Sequence, residues 1–256
     1  MSAPPPAHVV RAFGGSGLPL RLEGGQGTSW RCGDVVLKPA DAAGDATRTW
    51  LHDVARPRIA GGLRVAFPLA AQDRALRVDG WEATRWLPGS RPEGRWQDRA
   101  AVVRRFAAAF GSVDPGGLPR RDDPWAAADR AAWSDDDGPL AAHPLRRLLT
   151  PLRRPVAIVH GDAAGNTLLH DRLPPAVIDL SLYTRPVEWA VAVLAVDVLA
   201  FEGAPLELLA TISQDPDFLE LVARALLFRM TTDVLRGGAP DTAYERVVTA
   251  VLSASS

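Results

Sequence analysis

The sequence predicts an α+β protein whose strands gather in the first third and whose helices fill the remainder. Three observations predict it. Between residues 19 and 87, short apolar or alternating runs are separated by Gly, Pro and Asp turns, as strands are. From residue 95 onward, apolar residues recur at three- and four-residue spacing, as on helix faces. Pro88-Gly89, the sharpest break of the first half, lies between the two regimes. We therefore expect a small β-rich N-terminal lobe with one helix over 1–88 and a larger, mainly helical lobe over 89–256.

Taken in order, HVVRAFG (8–14) has the spacing of a short amphipathic helix. Residues 19–40 predict two strands around a glycine-rich turn, the second being DVVLKP, which ends where Pro39 withdraws an N–H. Trp50, Leu51 and Val54 place a helix over 45–60, with Pro57 near its end. VAFPLAA (65–71), LRVDG (76–80) and WEATRWL (81–87) predict three strands, with Asp79-Gly80 as a hairpin turn. Helices follow over 95–113, on Ala101, Val102, Phe106, Ala109 and Phe110, then over 124–134 and 143–154. VAIVHGD and PAVIDLS are short buried strands, and from 186 onward the pattern is helical.

Composition excludes several classes. Hydrophobic residues make up 47% and charged residues 23%, with a net charge of −1, so no basic face offers itself to nucleic acid. The single cysteine, Cys32, forbids an internal disulfide and fits a reducing compartment. The most apolar run, 189–201, is too short to span a bilayer and contains Asp197. No secretory leader is legible at the start, so we expect a cytoplasmic protein without a membrane partner.

Lys38 is the only lysine among 29 Lys and Arg, and Asn166 is the only asparagine. A chain that writes its other positive charges as Arg retains Lys where a compact ammonium is needed rather than a planar fork. Three stretches surround these residues. EGGQGT (23–28) is a glycine hairpin whose backbone N–H groups can approach phosphates. VHGDAAGN (159–166) delivers an Asp into a polar loop and an Asn four residues later, both oxygen donors suited to a hard cation. PPAVIDLS (174–181) ends a buried strand in Asp179, a charge that needs a cation or several hydrogen bonds. Glycine hairpin, strand Lys, Asp…Asn loop and strand-end Asp, in that order, are the components of phosphoryl transfer from ATP.

VHGDAAGN together with AVIDLS resembles the aminoglycoside phosphotransferase family, which includes choline-kinase-like enzymes and is similar to protein kinases in fold. The resemblance spans most of the chain, from the glycine hairpin through WLPG to both signature loops. It implies a protein-kinase-like two-lobe fold, and an ATP- and Mg²⁺-dependent kinase acting on a hydroxyl of a small molecule. ATP or another purine nucleoside triphosphate and Mg²⁺ would be the cofactors. By position, Asp162 resembles the catalytic base, Asn166 and Asp179 the Mg²⁺ ligands, and Lys38 the phosphate-binding lysine. Gly24, Gly25, Gly27 and Thr28 would border the phosphates, Thr84 and Trp86 would lie at the adenine, and His160 would brace its loop. The four central residues are expected to converge on one triphosphate.

Four features depart from the family pattern. The Asp162–Asn166 loop is one residue shorter than usual, and Ser181 stands where a Gly or an acid is more common. The customary acidic anchor after the strand is missing, with Glu188 as its nearest substitute. No Glu on the first helix offers itself to Lys38, leaving Asp53 and then Glu23 as candidates. These gaps define the alternative reading, a catalytically weak or inactive pseudokinase-like nucleotide binder. Gly161 replaces the Arg with which protein kinases read an activating phosphate, and the segment after Asp179 is too short for a regulated activation loop, which disfavours a protein substrate. A metal-dependent hydrolase built on His160, Asp162 and Asp179 would require further ligands that the His spacing does not provide.

Overall fold

The computed structural model describes residues 3–23, 27–59, 61–134 and 138–254. The chain divides into two compact units. The first comprises Met1–Arg91, Ala109–Pro119 and Gly165–Leu180; the second comprises Pro92–Ala108, Arg120–Ala164 and Ser181–Ser256.

The first unit opens with helix α1 (Ala7–Ala12), followed by strands β1 (Leu20–Arg21), β2 (Trp30–Cys32) and β3 (Val35–Pro39). Where two strands were expected over 19–40 there are three, because Gly33-Asp34 makes a second tight turn that pairs Cys32 with Val35. Helix α2 (Asp45–Trp50) continues through a wide π turn, Leu51–Ala55, into a 3₁₀ turn at Arg56–Arg58, where Pro57 ends it. Strands β4 (Arg64–Val65) and β5 (Trp81–Arg85) follow. The sheet order is β1-β2-β3-β5, antiparallel throughout.

Residues 65–71 and 76–80 are not the full strands expected. Pro68 makes only a bridge to Thr84, and Val78 pairs with Trp81 alone. The hairpin at Asp79-Gly80 does form: both residues have positive φ, 46° and 77°, as a two-residue primed turn demands. Val9 and Val10 of α1, with Phe13 just beyond its end, pack on Cys32, Val35, Leu37 and Ala83 to form this unit's core. Burial raises the Cys32 thiol pKa, consistent with a packing role.

The segment 165–180 contributes β7 (Thr167–Leu168) and β8 (Ala176–Val177), which complete a small sheet of order β4-β8-β7. Strand β8 runs parallel to β4 and antiparallel to β7.

The second unit carries α3 (Trp96–Ala109, its last residue in the first unit), α4 (Pro124–Trp133), and the antiparallel pair β6 (Ala157–His160) and β9 (Leu182–Arg185). Then come α5 (Val187–Phe201), the short α6 (Leu208–Thr211), α7 (Phe218–Leu235) and α8 (Glu245–Ala254). The helix expected over 143–154 is only a 3₁₀ turn at Pro144–Leu148, because Pro151 bars Thr150 from helical backbone and Pro155 follows. Helix α5 is buried from Trp189 to Leu199, as a helix apolar on every side must be. Trp189 packs edge-on to Tyr183 and Phe228 at 5.4 and 5.5 Å, and Trp133 stands 6.3 Å away. Trp189 belongs to this unit's core, and Trp133 packs against it. Among the described residues, no helix is long and apolar enough to cross a membrane.

Candidate active site

In the first unit the site is built on β3 and β5. Alternation along β3 buries Val35 and Leu37 and leaves Lys38 on the other face, a third exposed. Its Nζ donates to Asp179 Oδ1 at 2.6 Å, across 141 residues of sequence. It lies 3.2 Å from Glu82 Oε1, on the residue directly opposite it in the β3–β5 register. Burial works against the ammonium, but Asp179 and then Glu82 outweigh it and hold the Lys38 pKa above the usual lysine value.

Asp179 follows β8 at φ 49°, a left-handed conformation that Asp tolerates better than most residues. Its side chain is 56% exposed. One residue earlier, the Ile178 N–H donates to the Asn166 carbonyl at 2.9 Å, extending the β7–β8 ladder. This bond brings the only asparagine beside the strand end that presents Asp179. Asn166 itself is buried.

Of the predicted glycine hairpin, Gly24 and Gly25 lie outside the described residues. Gly27 has φ 63°, and its carbonyl accepts from Arg21 Nε and Nη2 at 3.0 and 2.8 Å; Thr28 beside it is half-buried. On β5, Thr84 pairs with Val36 and bridges Pro68. The Trp86 N–H donates to the Asp34 carbonyl at 2.9 Å, and the Arg31 guanidinium lies 4.3 Å from the centre of its ring.

The acids that face Lys38 are Asp179 and Glu82, not the Asp53 expected on the first helix. Asp53 pairs with its neighbour His52, and Glu82 on β5 supplies the acid. Only the register could have revealed this, since WEATR reads as a strand but its pairing offset to DVVLKP does not follow from either stretch alone.

The second unit holds Asp162. The Asp162 N–H donates to His160 Nδ1 at 3.0 Å, an acceptor role that leaves the ring proton on Nε2. His160 is buried edge-on to Phe106, at 5.7 Å. The Gly161 N–H donates to the Ser181 carbonyl at 2.8 Å, and the buried Arg99, paired with Glu202, also donates to the Ala164 carbonyl. The glycine is required by space: a Cβ at 161 would stand 2.4 Å from Tyr183 Cε2.

Asp162 Oδ1 accepts from Arg229 Nη2 at 2.8 Å. The same guanidinium grips Asp197, with Nε donating to Oδ1 at 2.8 Å and Nη2 to Oδ2. Burial pushes the Asp197 carboxyl up to about 6 against the pull of Arg229. Arg229 is held above its ordinary value: burial opposes its charge, and Asp197 and Asp162 overcome that. The signal for Asp197 lay in the sequence as the one charge in the apolar run 189–201, whereas Arg229 shares α7 with Glu220, Arg224 and Asp233 and carried no such mark. Glu188 is bound by Arg104 at 2.7 and 2.8 Å and by Ser213 Oγ at 2.5 Å. Asp135, Asp136 and Asp137 lie outside the described residues. Asp215 and Asp217 are both taken by Arg154. Among the described residues, no three His, Cys, Asp or Glu side chains gather as a metal centre.

No protein-family model matches this sequence, and no curated protein sequence does. Solved structures do match. A thermostable mutant of aminoglycoside phosphotransferase APH(4)-Ia is similar with a TM-score of 0.66 at 16% identity, over 96% of this chain and 98% of that one. Another such mutant, in ternary complex with AMP-PNP and hygromycin B, is similar with a TM-score of 0.63 at 15% identity, over 96% and 97%. Choline kinase LicA from Streptococcus pneumoniae is similar with a TM-score of 0.55 at 10% identity, over 96% and 97%. The α+β, protein-kinase-like class expected from the sequence is thus the one found: this chain has the fold of the aminoglycoside phosphotransferases and choline kinase.

Proposed function

We propose that this protein is a cytoplasmic small-molecule kinase that moves the γ-phosphoryl group of ATP, or of another purine nucleoside triphosphate, to an acceptor hydroxyl. The observation that carries the reading is the ion pair of the only lysine with Asp179, formed across 141 residues in a fold shared with phosphotransferases. Lys38 would bind the phosphates as a point charge, beside the Gly27–Thr28 backbone of the hairpin, with β5 at Thr84 and Trp86 serving the adenine. Asp162 would orient the acceptor hydroxyl and take its proton as the oxygen–phosphorus bond forms and the bond to the departing nucleoside diphosphate breaks. The bond from the Asp162 backbone N–H to His160, which ties down the loop that carries the carboxylate, supports that reading.

A magnesium ion fits the residues present, because Asp179 keeps a half-exposed carboxylate and Asn166 offers an amide oxygen, both hard donors. When bound, Mg²⁺ would neutralise phosphate charge. The alternative of a nucleotide-binding protein without transfer activity is favoured by one observation: Asp162 already shares a cation with Asp197.

Turnover separates the two readings. Purified protein given ATP, Mg²⁺ and a panel of hydroxyl metabolites should release ADP, and Asp162→Ala should retain nucleotide binding while losing transfer by a hundredfold or more, on the order of a general base's contribution. Binding without any ADP release above the Asp162→Ala background would favour the silent reading. Absence of Mg²⁺-dependent purine nucleotide binding would reject both.

A further inference from the structure

We propose that Glu82 is the positioning residue for Lys38, and that Arg48 of α2 is the group that aims Glu82. The proposal rests on Lys38 being the phosphate-binding lysine. Lys38 and Glu82 are directly opposed across the antiparallel pair β3–β5, so their side chains leave the sheet on the same face. Asp179 is nearer to the ammonium, but its side chain is 56% exposed, and in the function proposed above it serves a metal ion. Glu82, 14% exposed, is the partner that would remain.

Both oxygens of Glu82 are engaged. Oε1 faces Lys38 Nζ at 3.2 Å, and Oε2 accepts from Arg48 Nη1 at 2.6 Å. Arg48 is itself fixed, because its Nη2 donates to Asp45 Oδ1 at 2.7 Å and to the Asp41 carbonyl. Asp45 in turn holds Arg77 through two bonds of 3.0 Å. Arg77, Asp45, Arg48, Glu82, Lys38 and Asp179 therefore form a file of alternating charges within one compact unit. A solvated Lys–Glu pair restrains little. Here the fork of a buried arginine, pinned at three acceptors, denies Glu82 its rotameric freedom, and Glu82 restrains the lysine stem. The sequence led us to seek an acid on the first helix for Lys38. In this chain the helix contributes the cation and the strand contributes the acid.

The only lysine permits a direct test. Lysine-selective isotope labelling gives one side-chain signal, whose linewidth and relaxation report how firmly the Lys38 ammonium is held with or without nucleotide. Glu82→Gln, which keeps the shape, should sharpen the signal, and Arg48→Lys, which keeps charge but loses the fork, should do so partly. A linewidth unchanged in Glu82→Gln would overturn the proposal. The second arm is a cycle with Lys38→Met, read as affinity for an ATP analogue with Mg²⁺. Glu82→Gln should weaken binding about tenfold beside Lys38, the worth of one charged hydrogen bond, and less than about twofold beside Met. An equal loss in both backgrounds would make Glu82 merely structural. Should the wild type bind no nucleotide, the functional reading fails while the linewidth of the lysine signal still decides the positioning role.

Discussion

Replacing Arg229 by Met should be among the most damaging single changes in the second unit. Arg229 and Asp197 are 11% and 10% exposed at their side chains, and the guanidinium meets the carboxylate through two bonds. Removing the cation leaves a buried carboxylate without its counter-charge, a change that costs about 3–5 kcal/mol. For a chain of this length that lowers the melting temperature by on the order of 10 °C. The pH dependence has a definite sign. Burial places Asp197 at about 6, above the ordinary 3.8, so between those values the folded chain holds a proton that the unfolded chain has released. This group's contribution to stability therefore declines as pH rises from about 4 to 6. Without Arg229 the decline should steepen and extend to higher pH, so that urea melts at about pH 5 and pH 8 diverge more than in the wild type. Replacing both residues by Leu should recover much of the loss, since an apolar pair substitutes well for a buried ion pair. If Arg229→Met alone unfolds within about 1 kcal/mol of the wild type, the pair is not the buried ion pair described here.

Gly161→Ala should cost about 1–3 kcal/mol in denaturant melts through overpacking, since its methyl group would lie 2.4 Å from the Tyr183 ring, and Tyr183→Leu should relieve the penalty; no relief would place the strain elsewhere. Gly80→Ala should destabilise by about 1 kcal/mol, because position 80 has φ 77° in the hairpin turn, and calorimetric melting of the pair of proteins would show it. Asp45 sits at about 2, below its ordinary 3.8, chiefly through its hydrogen bond from Arg77 and then that from Arg48. Its stabilising share is present above about 4 and disappears as pH falls toward 2, so the acid limb of Asp45→Asn should be flatter there than that of the wild type. Acid titrations that superimpose would contradict this.

The parts legible in the sequence were those whose signal is local. The periods of α3 and α4 and the long apolar stretches of α5 and α7 stand out, and Asp79-Gly80 specifies its turn by backbone chemistry alone. Strands β4, β7 and β8 are two residues each, too short to display a period, and their pairing comes from distant segments. The stretch 143–154 satisfied helical spacing with Leu145, Leu148 and Leu149, yet the prolines around it overruled that spacing. The inclusion of 109–119 and 165–180 in the first unit is a property of tertiary packing that no local pattern encodes. At the site, Lys38 and Asp179 were visible as chemistry out of keeping with its surroundings. Glu82 was hidden among ordinary surface acids, because what distinguishes it is its register against β3.

Titration of wild-type and Lys38→Met protein with a non-hydrolysable ATP analogue in Mg²⁺, followed by calorimetry, addresses the phosphate site head-on. Saturable one-to-one binding that weakens by at least about tenfold in Lys38→Met is the predicted result. Equal affinity in the two proteins, or no heat in either, would contradict it.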